Sequence, residues 1–281
     1  MRAHLPLFVE IETSASCNRF CTWCPTGIAA PRRAGLMRWS LFDSLVRQLG
    51  MIGYRGELAL HGLNEPLLNP RLIKEYAQAA SVVPNSRLTC YTNGDHLDGE
   101  ILRQLIDAGV SRFRITLHPR PGAERDRFES GRARKRLLAL LDRLGIEHDA
   151  VAQVPRRSGL RWIVERQGAC LELDVPDVLA HFNDRGGLVA EELSLGSPRA
   201  APCHVTSTAA AISYRGDVKM CCNVSPDSPA HERYSLGNLD ERTFVEIWTS
   251  PKAQEIRMRH ERSDWSLTPV CSSCRHRLPA E

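Results

Sequence analysis

Three cysteines, Cys17, Cys21 and Cys24, lie in one short stretch at a C-x-x-x-C-x-x-C spacing, directly after the apolar run 5–11. A disulfide uses two thiols and a tetrahedral zinc site four ligands, so three thiols in one loop leave a position to be filled from elsewhere. A four-iron cluster held by three thiolates has that property, because one iron stays open to a ligand that is not protein. Zinc borrowing His4 or His61 is the alternative. Towards the other end, Cys203, Cys221, Cys271 and Cys274 supply four thiols, enough to close a site around a structural zinc ion or a cluster. Cys222 adjoins one of them without being needed for that count, while Cys90 and Cys170 stand apart as simple core or surface residues.

Such loops need a scaffold, and 281 residues with 42% hydrophobic and 25% charged side chains can supply one. The formal net charge of +4 is mild. The one basic cluster, Arg132 to Arg136, sits on an apolar-periodic helix as its solvated face, so nucleic acid is not an expected partner. No window of apolar residues is long enough to cross a membrane, and residues 1–6 are too short and polar for a signal peptide. A cytoplasmic protein is expected, in which ten cysteines point to metal or redox chemistry rather than disulfides.

Between residues 5 and 144 short apolar runs alternate with helical periodicity, the pattern of β-α units around a parallel sheet. Strands are expected at "LFVEIE", "GELALHG", "SRLTCYTNG" and "SRFRITLH". Helices are expected at "SLFDSLVRQLGMIG" capped by Ser40, "PRLIKEYAQAA" opened by Pro70, "DGEILRQLIDAG" capped by Asp98, and "RKRLLALLDRLG" closed by Gly145. The regular pattern is too short for a closed eightfold barrel, so an open or partial one is expected. "RWIVERQG" and "CLELDV" read as further strands and "FNDRGGLVAEELSLGSPRAAP" as a shaped loop. Beyond it comes a hairpin turning at Arg215 and Gly216, then a helical stretch broken near Pro251, which places a domain boundary between 190 and 200.

With these features in place, the sequence resembles the radical S-adenosylmethionine (radical SAM) family. The resemblance rests on the cysteine loop with Trp23 just before its third thiol, on "HGLNEP" after the second strand, and on "YTNGD" after the third. It implies an α/β fold, a partial (β/α)6 TIM-like barrel over residues 1–195. It also implies S-adenosylmethionine on the open iron of a [4Fe-4S] cluster held by Cys17, Cys21 and Cys24, with cofactor contacts from Trp23, Asn64, Glu65 and Asn93. Leu63 and Asn64 stand where the family has glycines, and a left-handed turn at Asn64 would preserve the loop.

Cys203, Gly216, Cys221, "LGNL", a Trp-containing helix and the final C-x-x-C resemble the twitch domain, a truncated SPASM domain. This implies a small α+β domain over 196–281 with an auxiliary [4Fe-4S] cluster on Cys203, Cys221, Cys271 and Cys274. "VEIETSASCNRFCTWCP", "NEPLL", "RITLH" and "NDRGG" further resemble family members of aminocyclitol and aminoglycoside biosynthesis. That likeness implies dehydrogenation of a secondary alcohol of an aminocyclitol or sugar by a 5'-deoxyadenosyl radical. Arg185 would contact substrate hydroxyls, the auxiliary cluster would accept an electron, and a flavodoxin or ferredoxin would be the reductant. His61 or His118, each at a strand end, suits proton transfer better than Arg185 does. An epimerase in which Cys222 returns a hydrogen atom is one alternative. Peptide modification is another, disfavoured because only a few residues precede the first strand.

Overall fold

The computed structural model describes residues 5–28, 35–119, 128–155, 158–178, 183–189, 198–225 and 227–276; His4 and residues 190–197 of the shaped loop lie outside them. The strands are β1 (Phe8–Ile11), β2 (Glu57–Ala59), β3 (Arg87–Thr92), β4 (Arg112–Thr116), β5 (Ala152–Val154), β6 (Leu160–Arg166), β7 (Ala169–Val175), β8 (Ala209–Ile212), β9 (Asp217–Lys219) and β10 (Ser235–Asn238). They form one sheet in the order β10-β9-β8-β1-β2-β3-β4-β7-β6-β5. From β8 through β1, β2, β3 and β4 to β7 all pairings are parallel, and antiparallel strands extend both edges.

The parallel part is the expected partial barrel, but its construction differs at the end. β7 is reached through the antiparallel β5 and β6, of which β5 was not foreseen, and the sixth parallel strand, β8, lies beyond residue 195. β8 pairs with β1, Phe8 opposite Ala209 and Ile11 opposite Ile212, so the sheet runs unbroken from the barrel into the C-terminal region.

The two faces of this sheet are unlike. Val9, Ile11, Leu58, Leu60, Leu88, Cys90, Phe113, Ile115, Leu171 and Leu173 point to one side and are buried in the apolar core. That side is covered by α2 (Trp39–Met51), α3 (Leu72–Val82), α4 (Gly99–Asp107) and α5 (Ser130–Leu144), which follow the short α1 (Pro25–Ile28). Each large side chain there contributes roughly 1.5–3 kcal/mol of transfer free energy. The other side carries Glu10, Tyr91, Arg112, Arg114, Glu172 and Asp174, adjacent across the strands at registers such as Tyr91–Arg114–Glu172. Parallel sheets usually bury apolar side chains on both faces, so a charged concave face marks where the barrel holds something other than its own core.

Asp98 caps α4, its Oδ1 accepting from Ile101 N at 2.8 Å, and Gly145 ends α5 at φ 64°. Ser40 does not cap α2. The helix starts at Trp39, Arg38 is the N-cap residue, and the Arg38 side chain pairs with Asp240 instead. Nor does Pro70 open α3, which begins at Leu72 because Asn69 Oδ1 accepts from Arg71 N at 2.9 Å and holds the chain in a turn. The C-terminal hairpin turns at Gly216 (φ 89°), and the helical stretch divides into Phe244–Trp248, with a Thr243–Glu246 capping box, and Pro251–Glu261, capped by Ser250. Among the described residues no helix is long and apolar enough to cross a membrane.

Candidate active site

Loops at the carboxyl ends of β1, β2, β3 and β4 converge on a cavity of about 220 Å3. Cys17, Cys21 and Cys24 line it together with Trp23, Asn64, Glu65, Asn93, His118 and Arg185. The cysteine loop is held by its two neighbours in sequence, Asn18 and Arg19. Asp95, from "YTNGD", accepts from Asn18 Nδ2 at 2.8 Å and from Arg19 Nε and Nη2 at 2.7 and 2.5 Å. Arg19 Nη1 also reaches the carbonyls of His118 and Pro119, at 3.2 and 3.1 Å. One guanidinium thus ties the β1, β3 and β4 loops together. This bidentate clamp was not foreseen, although both partners stand inside motifs singled out for other reasons.

Glu65 joins the β2 and β3 loops. Its carboxylate accepts from Thr92 Oγ1 at 2.6 Å, Asn93 N at 2.8 Å and Leu67 N at 3.1 Å. Burial pushes its pKa up despite those bonds. Three of about four acceptor positions on a carboxylate are filled, which leaves room for one more donor such as an ammonium group. Asn93 Nδ2 donates to Asn18 Oδ1 at 2.8 Å, and Gly94 behind it (φ 77°) leaves no space for a Cβ, which would fall 2.8 Å from Ile115 Cγ2.

The "HGLNEP" turn works differently from the expectation. Neither Leu63 nor Asn64 takes a left-handed conformation. Asn64 Oδ1 instead accepts from Gly62 N at 2.9 Å and its Nδ2 donates to Ser14 at 2.9 Å, while Leu63 N donates to Glu12 at 2.7 Å. Side chains therefore supply the fixing that glycine geometry would otherwise allow, and Gly62 remains because a Cβ there would meet Glu12 Cβ at 2.8 Å.

Trp23 is buried against His118, ring centroids 5.5 Å apart. His61 stacks on Tyr91 at 4.1 Å and places Nε2 3.3 Å from Glu10 Oε2. Burial pushes the Glu10 carboxyl up to about 8 and the His61 imidazole down to about 3. Both are therefore uncharged near neutrality.

The second thiol group is more enclosed. Cys203, Cys221, Cys271 and Cys274 line one small cavity with Arg199, Asn223, His260 and His276. Arg199 is buried and donates to the carbonyls of Ala201, Pro202, Cys274 and His276, binding the segment before Cys203 to the C-x-x-C turn. Burial, and the neighbouring thiols, push Cys271 and Cys274 up to about 12 and 11. Buried thiols that oppose one another's ionisation need a cationic group among them to be held as thiolates. Cys17, Cys21 and Cys24 share the first cavity and Cys203, Cys221, Cys271 and Cys274 the second, so each set of thiols is gathered around one space. Backbone N–H groups point at three sulfurs, Arg19 at Cys17 (3.4 Å), Asn223 at Cys221 (3.3 Å) and His276 at Cys274 (3.4 Å), the donors an iron–sulfur ligand takes.

"NDRGG" connects the two cavities. Arg185 lines the first and donates from Nη1 to Asn223 Oδ1, at 3.0 Å, on the wall of the second. Its backbone is left-handed (φ 50°), a conformation costing roughly 1–3 kcal/mol outside glycine. Asn183 holds it there by accepting from Arg185 N at 3.0 Å, and Asp184 anchors the loop to Ser273 at 2.9 Å. Cys222 does not line the first cavity, but Glu10, His61 and Arg185 lie close enough to interact electrostatically with it.

Comparison with known proteins agrees with this geometry. The radical SAM superfamily matches residues 11–147, and the SPASM iron-sulfur cluster-binding domain matches residues 203–275. The S-adenosyl-L-methionine-dependent 2-deoxy-scyllo-inosamine dehydrogenase of Niallia circulans is 24% identical over 267 residues, 95% of this chain and 91% of that protein. Among solved structures, BtrN in complex with AdoMet and 2-DOIA superposes with a TM-score of 0.70 at 21% identity, covering 97% of this chain and 94% of BtrN. Native anSMEcpe with bound AdoMet shares the fold at a TM-score of 0.53 and 14% identity, over 88% of this chain and 81% of its own. With three thiols at the mouth of a partial barrel and four behind it, the chain carries a radical SAM domain over residues 11–147 and a SPASM iron–sulfur cluster-binding domain over residues 203–275.

Proposed function

We propose that the protein dehydrogenates a secondary alcohol of an aminocyclitol or aminoglycoside-type sugar to a ketone. The observation that carries this reading is the Arg185–Asn223 contact, which places an arginine of the barrel cavity against the wall of the second thiol site. A ring alcohol held by Arg185 would lie between the two sets of thiols. The name of the Niallia circulans relative supports the reaction class. When bound, S-adenosylmethionine and a cluster on Cys17, Cys21 and Cys24 supply the 5'-deoxyadenosyl hydrogen abstractor, and a cluster on Cys203, Cys221, Cys271 and Cys274 supplies a one-electron sink.

The chain's own residues bind, orient and take the proton. Glu65 offers its remaining acceptor position to the methionine ammonium, with Asn64 and Asn93 on the same wall and Trp23 closing the side above His118. Arg185 orients the alcohol through its planar fork of donors. His61, pushed down to about 3 by burial, is a weak base, so His118 is the imidazole that accepts the hydroxyl proton. The division at 195/196 is thus one of function, between the cavity and its electron acceptor. A flavodoxin or ferredoxin supplies the reducing electron, and the density of free thiols suits the reducing cytoplasm.

Iron and sulfide counts with Mössbauer spectroscopy on anaerobically reconstituted protein test the reading. The intact protein is expected to hold about eight irons and a Cys203→Ala/Cys221→Ala variant about four, at four per cluster. A count near four in both would remove the electron acceptor, and with it the dehydrogenase. Epimerisation is the second reading: Glu10, His61 and Arg185 lie close enough to Cys222 to interact with it electrostatically, and its thiol could return a hydrogen atom to a substrate radical. Cys222→Ala separates the two: ketone formation persists in a dehydrogenase, whereas stereoinversion disappears in an epimerase.

A further inference from the structure

His231 has no role in the proposed chemistry, yet it is 1% exposed and both of its ring nitrogens are engaged. It belongs to the short 3-10 helix Pro229–Tyr234, and its ring packs edge-on against Tyr234 with centroids 5.7 Å apart. Nδ1 lies 3.2 Å from the backbone N of Ser225, and Nε2 lies 2.9 Å from the carbonyl oxygen of Gly186. An amide N–H only donates and a carbonyl only accepts, so these partners fix the tautomer: Nδ1 accepts and Nε2–H donates. Burial pushes the His231 pKa below 6.5, so the ring stays uncharged near neutrality and keeps its accepting nitrogen.

The two segments joined in this way are those that carry the Arg185–Asn223 contact. Gly186 follows Arg185 in "NDRGG", and Ser225 lies two residues beyond Asn223. The left-handed backbone of Arg185 (φ 50°) has to be imposed by its surroundings. On one side Asn183 Oδ1 accepts from Arg185 N at 3.0 Å, and on the other His231 holds the Gly186 carbonyl. The approach is close, since a Cβ at Gly186 (φ 65°) would fall 3.0 Å from His231 Cε1 and 3.1 Å from Nε2. His276 reaches Asn183 and the Cys222 thiol, but through side chains alone, whereas His231 grips the main chain of both segments. A left-handed residue clamped on one side only can relax towards the more populated negative φ, which turns the peptide and carries the guanidinium away from Asn223.

We propose that His231 is a positioning residue whose imidazole sets the distance between the Arg185 and Asn223 backbones and so aims the arginine at the substrate alcohol. Its effect on substrate rests on the assignment of Arg185 to that alcohol, whereas the bridge itself does not.

The test is amide hydrogen exchange, read by mass spectrometry over residues 183–189 and 221–225, on the anaerobically reconstituted protein and three variants. His231→Gln places an amide nitrogen near the Nε2 position and retains a donor for Gly186. His231→Asn places an oxygen near Nδ1 and retains an acceptor for Ser225. His231→Phe keeps a ring against Tyr234 and neither bond. The Phe variant is expected to speed exchange in both segments about fivefold, the scale of one buried hydrogen bond. The Gln variant should release 221–225 while 183–189 stays protected, and the Asn variant should do the reverse, a contrast that decides the matter even if the Phe variant does not fold. Unchanged exchange in all three, a rise throughout the chain, or a rise at 221–225 alone in every variant overturns the proposal, since His231 would then only support the fold.

Calorimetric titration of the same S-adenosylmethionine-loaded preparations with scyllo-inosamine adds a double-mutant cycle. His231→Phe is expected to weaken binding about fivefold in the intact background and to have no further effect beside Arg185→Ala, with affinity for S-adenosylmethionine unchanged. Additive losses overturn the positioning role, because His231 would then act on the substrate by a route other than Arg185. If the intact protein does not bind the probe, or Arg185→Ala binds it equally well, the substrate assignment of Arg185 falls and the exchange pattern alone decides the bridge.

Discussion

The two thiol sites are built on opposite principles. The first is a loop of three thiols on the wall of a roomy cavity, held from outside by Asn18, Arg19 and Asp95. The second gathers four thiols from distant points of the chain into a small enclosed cavity, held from within by the buried Arg199. An open site accommodates cofactor and substrate, whereas a closed one suits a group that only passes electrons. The difference teaches that ligand number and enclosure vary together here. Arg185 is where the two meet, its left-handed backbone held by Asn183 so that its side chain reaches Asn223.

The sharpest way to break this comparison is to remove one thiol from each side. Cys17→Ala is expected to abolish reductive cleavage of S-adenosylmethionine, measured as 5'-deoxyadenosine. Cys271→Ala should retain cleavage while losing ketone. If Cys271→Ala also stopped cleavage, the second site would be part of the first reaction rather than its electron acceptor, and the division of labour would be wrong.

A smaller effect is expected from the outer clamp. Asp95→Ala leaves Arg19 without its carboxylate and removes the bonds from Asn18 and Arg19, each of these solvent-screened contacts being worth about 1 kcal/mol. The β1 loop should then hold iron less firmly. Chelator-induced loss from the first site should quicken several-fold, on the order set by one such contact, while the second site, distant from Asp95, bleaches at its usual rate. Equal acceleration at both sites would mean that Asp95 supports the fold in general.

What the sequence disclosed follows the same contrast. The first loop is contiguous, so its spacing and Trp23 were readable together, as were "YTNGD", the strands β1 to β4 and the helix caps Asp98 and Gly145. Contacts between motifs were not readable. The Arg19–Asp95 clamp joins residues 76 positions apart and the Arg185–Asn223 contact joins residues 38 apart, and nothing in local spacing couples them. Asn64 shows a second limit. Its loop was read through backbone conformation, but its amide side chain does the fixing. Arg114 shows a third: "RFRIT" alternates charge with apolar residues, a sign of one polar face in a parallel strand, yet it was read only as a strand. The unbroken sheet through β8 escaped notice because composition changes there while hydrogen bonding does not.

The mildest prediction concerns Glu10, on the concave face between the two sites. Burial raises its pKa from 4.5 in the unfolded chain to about 8 in the folded one. The folded protein therefore keeps a proton that the unfolded chain releases. The stabilisation is complete below about pH 4.5 and is lost as pH rises through about 8. Glu10→Gln cannot ionise in either state, so it should remove this dependence. Its melting temperature relative to the intact protein is expected to rise between pH 5 and pH 8.5, by roughly 2–4 °C for each kcal/mol of linkage recovered. His61 runs the other way, its contribution being lost as pH falls from 6.5 towards about 3, so comparison above pH 6.5 isolates the carboxyl. A melting difference that does not change with pH would mean that Glu10 is ionised in the folded protein. The concave face would then carry one more negative charge between the two thiol sites.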